Sequence, residues 1–356
     1  MKFLKNCWYV AAWSHEIEPR PLGRIVLNEP VVFFRKKDGA VIALADRCSH
    51  RGYPLHKGRL IEDTIECGYH GVTFDCSGRC IRVPGQAQVP VGADVQSYPI
   101  IERWGLVWIW MGEPSLAKPA SITDWHLLDH PDWDARGGRL QVNCNYQLII
   151  DNLLDLSHVT YVHPRTIGSA AKLEEIQIKN EIKEDSITIS RSSIDVKPPP
   201  TYARVGFKGN VDRWQIINFQ PPAFVTFYAG AADTGSGAPE GNLAGGIGLH
   251  TFNAMTPETD KKTHYYWAIA QTRAPEAENL TDSIFCDFQK TVQEDVEVFE
   301  AQQRSLDLKP DAPMVTIRSD VGPIAARRII ECLQQAEANG LRMTRRGPGG
   351  DQTTIV

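Results

Sequence analysis

Apolar and polar positions alternate differently in two parts of the chain. Up to about residue 115, short β-type runs follow one another between turn residues: Gly23 to Leu27, Val31 to Phe34, Val41 to Leu44 and Leu106 to Trp110. Branched and aromatic side chains suit a pleated, half-buried surface, so these runs predict strands. Lys37-Asp38-Gly39 puts Asp-Gly between two of them, a strong short-range signal for a hairpin. A small antiparallel β domain over 1–115 follows, with the prolines from Pro114 to Pro119 at its end.

Beyond that point the pattern mixes periods. A helix is predicted near 145–160, several strands between about 175 and 270, and a long helix from Thr281 to Arg304. In that last helix Phe285, Phe288, Val292 and Phe299 recur at spacings of three, four and seven, which defines one buried face. The second domain, 116–343, therefore reads as α+β. Gly230 to Gly248 is rich in Gly, Ala and Ser and predicts a flexible loop over a pocket. The run from Thr344 through Arg345-Arg346-Gly347 predicts a disordered tail over 344–356.

Composition narrows the class. Of 356 residues, 42% are hydrophobic and 23% charged, an ordinary globular balance, and a net charge of -5 offers no basic footprint for nucleic acid. Lys2 and Lys5 precede an apolar stretch that Ser14, His15 and Glu16 interrupt before a signal-peptide core forms. No run is apolar for the length a membrane span requires, so no membrane partner is expected. Eight cysteines without an export signal predict reduced or metal-bound thiols in the cytoplasm, and Cys7, Cys144, Cys286 and Cys332 are expected to be buried thiols.

The chemistry concentrates in two places. Cys48-Ser49-His50 is followed, after sixteen residues, by Cys67-Gly68-Tyr69-His70. Two thiolates on one iron and two imidazoles on the other make a Rieske [2Fe-2S] centre, whose potential lies above that of an all-cysteine cluster. Structural zinc is the alternative, but zinc sites more often pair Cys with Cys and His with His, whereas here each pair mixes the two. Cys76 and Cys80 have no second histidine pair to join, and Gly52, Gly68 and Gly71 allow the two loops to turn tightly.

The second place is Asp151 to His163. Asp151, Asp155 and His158 fall at i, i+4 and i+7 on one helical stripe, and His163 falls off it. For both imidazoles to converge, the helix must end or distort just after His158, and Pro164 supplies a reason. A polar helix face with two incidental histidines is the plainer reading. Asp295, however, sits on the apolar face of the late helix, and a buried carboxylate is costly unless paired or coordinated. His158, His163 and Asp295 would make a two-histidine, one-carboxylate facial triad that leaves positions on Fe(II) open. The alternatives are an Arg partner for Asp295, or a helix phase shifted by one that turns Glu294 inward.

Together these segments, with Asn6 to Ala12, Pro21 to Arg24, Asp212 to Gln215, Thr256 to Thr259 and Gln302-Gln303-Arg304, resemble the Rieske non-heme iron oxygenases over nearly the whole chain. Within them they resemble the oxygenase components of vanillate O-demethylase and the dicamba demethylases. The resemblance implies an N-terminal all-β Rieske domain followed by a helix-grip (Bet v1/START-like) catalytic domain, in a head-to-tail homotrimer. It also implies that Asp155 links His70 of one chain to His158 or His163 of the next, and that Asn152 lines the iron site without ligating. The activity implied is O-demethylation of a methoxylated, vanillate-like aromatic acid to a phenol and formaldehyde, with O2. Hydroxylation or dihydroxylation of another aromatic acid or an arenesulfonate is the alternative, and a Rieske electron carrier without enzyme activity is a further one. No Gly-rich dinucleotide fingerprint is present, so electrons from NAD(P)H require a separate ferredoxin-type reductase.

Candidate substrate residues lie on strands around Asn218 and from His250 to Asn253, with Arg213 a further one; His250 could equally be a core histidine and Arg213 a surface ion-pair partner. The dicamba-type enzymes place a histidine where Asn253 stands, so the substrate does not transfer directly.

Overall fold

The computed structural model describes residues 3–168, 176–202, 207, 209–238, 242, 246–272 and 278–340. They form two compact units, one running to Ile122 and including Thr256–Asp260, the other running from Thr123 to Met255 and onward from Lys261. The predicted tail, 344–356, lies outside the described residues. Among the described residues, no helix is long and apolar enough to cross a membrane.

The first unit is all β. Its strands are β1 (Trp8–Trp13), β2 (Leu22–Val26), β3 (Glu29–Arg35), β4 (Val41–Ala45), β5 (Arg59–Ile61), β6 (Thr64–Glu66), β7 (Thr73–Phe74), β8 (Cys80–Arg82), β9 (Ile100–Arg103) and β10 (Leu106–Trp110). They pair into three sheets, ordered β1-β10-β9, β2-β3-β4 and β5-β6-β7-β8. The Asp-Gly turn closes the β3–β4 hairpin, where Gly39 N donates to Lys36 O at 3.0 Å. Val32, Phe34, Leu44, Leu55, Ile65 and Phe74 pack into one core that also holds Cys48 and Cys67. The turn between β2 and β3 turns its backbone donors outward, and Leu27 and Asn28 N–H groups reach the carbonyls of Pro257 and Glu258 at 2.9 Å each.

The second unit wraps helices on a sheet. Its elements are β11 (Trp133–Val142), α1 (Tyr146–Leu154), α2 (Val159–Val162), β12 (Gln177–Ile182), β13 (Ile187–Val196), β14 (Val211–Gln220), β15 (Phe224–Asp233), β16 (Ile247–Thr259), β17 (Lys262–Thr272), α3 (Glu278–Leu308) and α4 (Val321–Ala338). Seven strands form one sheet in the order β11-β17-β16-β15-β14-β13-β12. β12 to β16 run as an antiparallel meander and β11 closes antiparallel onto β17. The long helix lies against this sheet: Phe285 stacks on Trp267 of β17 with centroids 5.3 Å apart. Val292, Asp295 and Phe299 are buried on one stripe, as their spacing requires, and burying each apolar side chain contributes roughly 1.5–3 kcal/mol. A sheet gripped by a long helix is the expected helix-grip arrangement.

Two elements differ from the sequence expectation. The helix near 145–160 breaks into α1, a tight turn over Leu156–His158, and the single turn α2, so the break comes before His158 rather than after it. The Gly-rich stretch is strand at its two ends: β15 runs through Gly230 to Asp233 and β16 begins at Ile247, while 239–241 and 243–245 lie outside the described residues. The glycines are there for room. A Cβ on Gly230 would lie 2.1 Å from the Trp214 ring, and one on Gly248 would lie 2.9 Å from the Tyr228 ring. Both aromatic rings lie across neighbouring strands where a side chain would otherwise stand. Gly230→Val should therefore destabilise the protein by roughly 1–3 kcal/mol through overpacking. Denaturant unfolding that shows no loss of stability would mean the stretch is loose after all.

Candidate active site and metal centres

In the first unit the two Cys/His loops repeat one geometry. Cys48 N donates to Tyr53 O at 2.9 Å and Cys48 O accepts from Gly52 N at 2.8 Å; Cys67 N donates to Val72 O at 2.8 Å and Cys67 O accepts from Gly71 N at 3.0 Å. Gly52 and Gly71 have φ of 68° and 71°, left-handed values that a residue with a Cβ resists. Each cysteine thus enters the core at 2% exposure, and each histidine two or three residues on stands at the exposed tip. The imidazoles of His50 and His70 lie 4.7 Å apart, and Tyr69, itself exposed, packs on His70 at 3.8 Å. Burial pushes the Cys48 thiol up and the neighbouring Cys67 sulfur adds to it. Two buried sulfurs at the root and two imidazoles at the tip are the donor set a [2Fe-2S] cluster with two Cys and two His ligands needs.

In the second unit the break after α1 sets the chemistry. Asp155 ends α1, and its side chain accepts from Ser157 N at 2.9 Å, which starts the next turn. Its backbone carbonyl accepts from His158 Nδ1 at 2.7 Å. Carbonyl oxygen only accepts, so Nδ1 carries the proton and the lone pair of Nε2 is left free. α2 then ends at His163, where Pro164 prevents continuation. His163 Nδ1 donates to Glu294 Oε2 at 2.8 Å, which frees its Nε2 in the same way.

The two free lone pairs converge on α3. His163 Nε2 lies 3.0 Å and His158 Nε2 3.5 Å from Asp295 Oδ1. The three ligand atoms fall within 4.8 Å of one another. Asn152 Nδ2 is turned toward them as a donor, 3.2 Å from Asp295 Oδ1, while its own Oδ1 is buried without a partner among the described residues. Three acceptors this close repel one another unless a cation stands among them, so the donor set fits a metal ion. In its absence burial pushes His163 down, but its bonds to Asp295 and Glu294 outweigh that and hold its affinity for a proton above the ordinary value. Burial dominates at His158 and pushes it down.

Sequence spacing put Asp151 on the same stripe, but the break rotates it away. Arg327 of α4 donates to it through Nε at 3.1 Å, which ties α1 to α4. Asp155, half-buried, presents its carboxylate to Ser157 N; burial pushes the Arg191 guanidinium down to about 10, and the charge of Asp155 opposes that only in part.

A cavity opens over these three candidate ligand residues. It is mostly apolar, with Leu153, Val159, Phe227, Leu249, Ile284 and Phe288 in its walls and Asn152, Arg213, Gln215, Thr251 and Asn253 as its polar points. Asn253 and Arg213 thus reach the cavity as candidates. Asn218 and His250 do not: alternate residues of a strand face opposite sides, and 213, 215, 249, 251 and 253 take the inner side. On the outer side Asn218 accepts from Thr188 Oγ1 at 2.8 Å, and His250 stacks on Tyr228 at 4.5 Å. Two further corrections concern thiols, since Cys286 and Cys332 are exposed rather than buried.

Residues 7–99 match the Rieske [2Fe-2S] domain family, and residues 142–336 match the vanillate O-demethylase oxygenase C-terminal domain family. The chain belongs to the Rieske oxygenases. A toluene-4-sulfonate monooxygenase system iron-sulfur subunit of Comamonas testosteroni is 40% identical over 343 residues, covering 95% of this chain and 99% of the relative. A vanillate O-demethylase oxygenase subunit of a Pseudomonas species is 38% identical over 345 residues, covering 94% and 96%. The solved structure of dicamba monooxygenase with non-heme iron and dicamba matches with a TM-score of 0.78 at 29% identity, covering 96% of this chain and 100% of that one. As a Rieske oxygenase the chain is the oxygenase component of a multicomponent oxidoreductase, which sets aside the electron-carrier reading.

Sequence reasoning offered Glu294 only as an alternative to Asp295, yet this Rieske oxygenase uses both. A helix turns 100° per residue, so neighbours on α3 reach different edges of one imidazole: Asp295 faces Nε2 of His163 and Glu294 accepts a hydrogen bond from Nδ1. Thr166 Oγ1 also donates to Glu294 Oε2, at 3.4 Å. Glu294→Gln should keep the fold but weaken iron binding at the second site by roughly 10- to 100-fold, the usual effect of losing a carboxylate behind a ligating histidine. Iron titration of the purified variant checks this; unchanged affinity would remove Glu294 from the site.

Proposed function

We propose that this Rieske oxygenase O-demethylates a methoxylated aromatic acid of the vanillate class in the cytoplasm, releasing a phenol and formaldehyde. One oxygen atom of O2 enters a methyl C–H bond and the other leaves as water, with two electrons from NAD(P)H passed on by a separate ferredoxin-type reductase. The hemiacetal so formed breaks its C–O bond to formaldehyde. The observation that carries the reading is the apolar cavity ending on His158, His163 and Asp295. The vanillate and dicamba enzymes among its relatives support it, and eight cysteines none of which joins another in a disulfide suit a reducing compartment.

Cys48, His50, Cys67 and His70 hold the [2Fe-2S] cluster in this reading, and His158, His163 and Asp295 hold the mononuclear iron. The iron supplies the activation of dioxygen that no side chain provides. The chain's own residues do the rest. Asp155 and Glu294 orient the two imidazoles; Leu153, Val159 and Phe227 keep water out; Asn152 donates beside the ligands without ligating. The copies assemble as a homotrimer in which Asp155 joins the cluster of one to the iron histidines of the next.

A second reading rests on the toluene-4-sulfonate relative: hydroxylation of a methyl group on an arenesulfonate, with no ether to cleave. Purified protein with a compatible reductase and NADH should release formaldehyde from methoxybenzoates. Hydroxylated product from methylarenesulfonates alone would favour the second reading, and NADH oxidation uncoupled from product with every methoxylated compound would overturn the first. Metal analysis should find about three irons and two acid-labile sulfides per chain, where two irons would sink the mononuclear site. Asp155→Asn should retain both centres and lose turnover, and an active variant would take Asp155 off the electron path.

A further inference from the structure

The cavity holds four charged or ligating side chains among the described residues, and three of them, His158, His163 and Asp295, face one another. The fourth, Arg213 on β14, has no such company. Its Nε is buried with no hydrogen-bond partner, and its guanidinium lies over the Tyr202 ring with Cζ 5.8 Å from the centroid. Burial pushes the group down, and the Tyr202 hydroxyl is what opposes that. A cation taken out of water without a carboxylate or other anion beside it is costly, and the cost falls when a ligand supplies the charge.

The other polar groups are less suited to this. Arg191, across from Gln215 on β13, also buries an Nε without a hydrogen-bond partner among the described residues, but it does not line the cavity and the charge of Asp155 offsets part of its burial. Both ends of the Asn253 amide are committed: Nδ2 donates to Val225 O at 3.1 Å and Oδ1 accepts from Tyr265 Oη at 2.7 Å. Asn253 is thereby a wall of the cavity and not a free anchor. Gln215 and Thr251 remain beside Arg213 as neutral hydrogen-bonding neighbours.

We propose that Arg213 is the specificity-determining residue of this cavity, pairing through its planar fork with the anionic group, carboxylate or sulfonate, of an aromatic substrate. This rests on the reading of the cavity as an aromatic-acid site and names the residue that selects the acid. A guanidinium presents two parallel N–H donors, which match two oxygens of either group.

Calorimetric titration of the holoenzyme with 4-methoxybenzoate, toluene-4-sulfonate and the neutral ester methyl 4-methoxybenzoate tests it. The wild type should bind an anion at least roughly tenfold more tightly than the ester. Arg213→Met should weaken both anions by roughly 10- to 100-fold and leave the ester nearly unchanged, while Arg213→Lys keeps part of the preference. Whichever anion binds the wild type more tightly identifies the acid class. Equal binding of acid and ester by the wild type, failure of both anions to bind it, or full anion affinity in Arg213→Met would each overturn the proposal. If circular dichroism shows that Arg213→Met does not fold, the wild-type comparison and Arg213→Lys decide by the same criteria. Anion selectivity that depends on Arg213, with no formaldehyde from any methoxyarene, would overturn the demethylase reading and leave this one standing.

Discussion

Two imidazole lone pairs turned toward one carboxylate oxygen repel unless a cation stands between them, and much of the second unit serves to hold that arrangement. His158 is turned by the carbonyl of Asp155 and His163 by the carboxylate of Glu294, each bond occupying Nδ1 and leaving Nε2 to face Asp295. Asp155 can do this only because it ends α1, and the long helix can bring Asp295 only because its apolar stripe is seated on the sheet. Stability and chemistry are therefore coupled. The packing of α3 sets the position of a group that would be unfavourable there without its ligand role.

The first unit reaches a related end by other means. Two loops of one geometry place sulfur inside and imidazole outside, so one half of the ligand set is shielded and the other stands at the surface. Water is kept from the thiolates while the histidine edge remains open to an electron partner. Arg213 shows a third way of placing a charge: with its Nε buried and without a hydrogen-bond partner among the described residues, it lines the cavity in wait for an anion.

Candidate ligand residues were legible in the sequence because their spacing is local. Cys and His two and three positions apart on glycine-bearing loops, and a carboxylate on an apolar helical stripe, are visible without a fold. The cavity was less legible. Asn218 and His250 share strands with lining residues but stand an odd number of positions from them, three from Gln215 and one from Leu249, and a period of two turns an odd step into the opposite face of the sheet. The glycines around 230 and 248 misled for a comparable reason, since the large rings that displace their side chains belong to neighbouring strands far off in sequence.

By itself the sequence determined the order of a β domain and an α+β domain, and it marked the candidate Cys/His set and three residues able to hold a second metal, because each follows from short-range periodicity or spacing. Tertiary structure alone decided the break at Asp155, the joint use of Glu294 and Asp295 on one imidazole, the removal of Asp151 to Arg327, and the choice of Arg213 over His250 as the group facing the cavity. These depend on which donors meet which acceptors across strands and helices distant in the chain. Composition and spacing carry no record of such meetings, whereas the packed sheet and its long helix do.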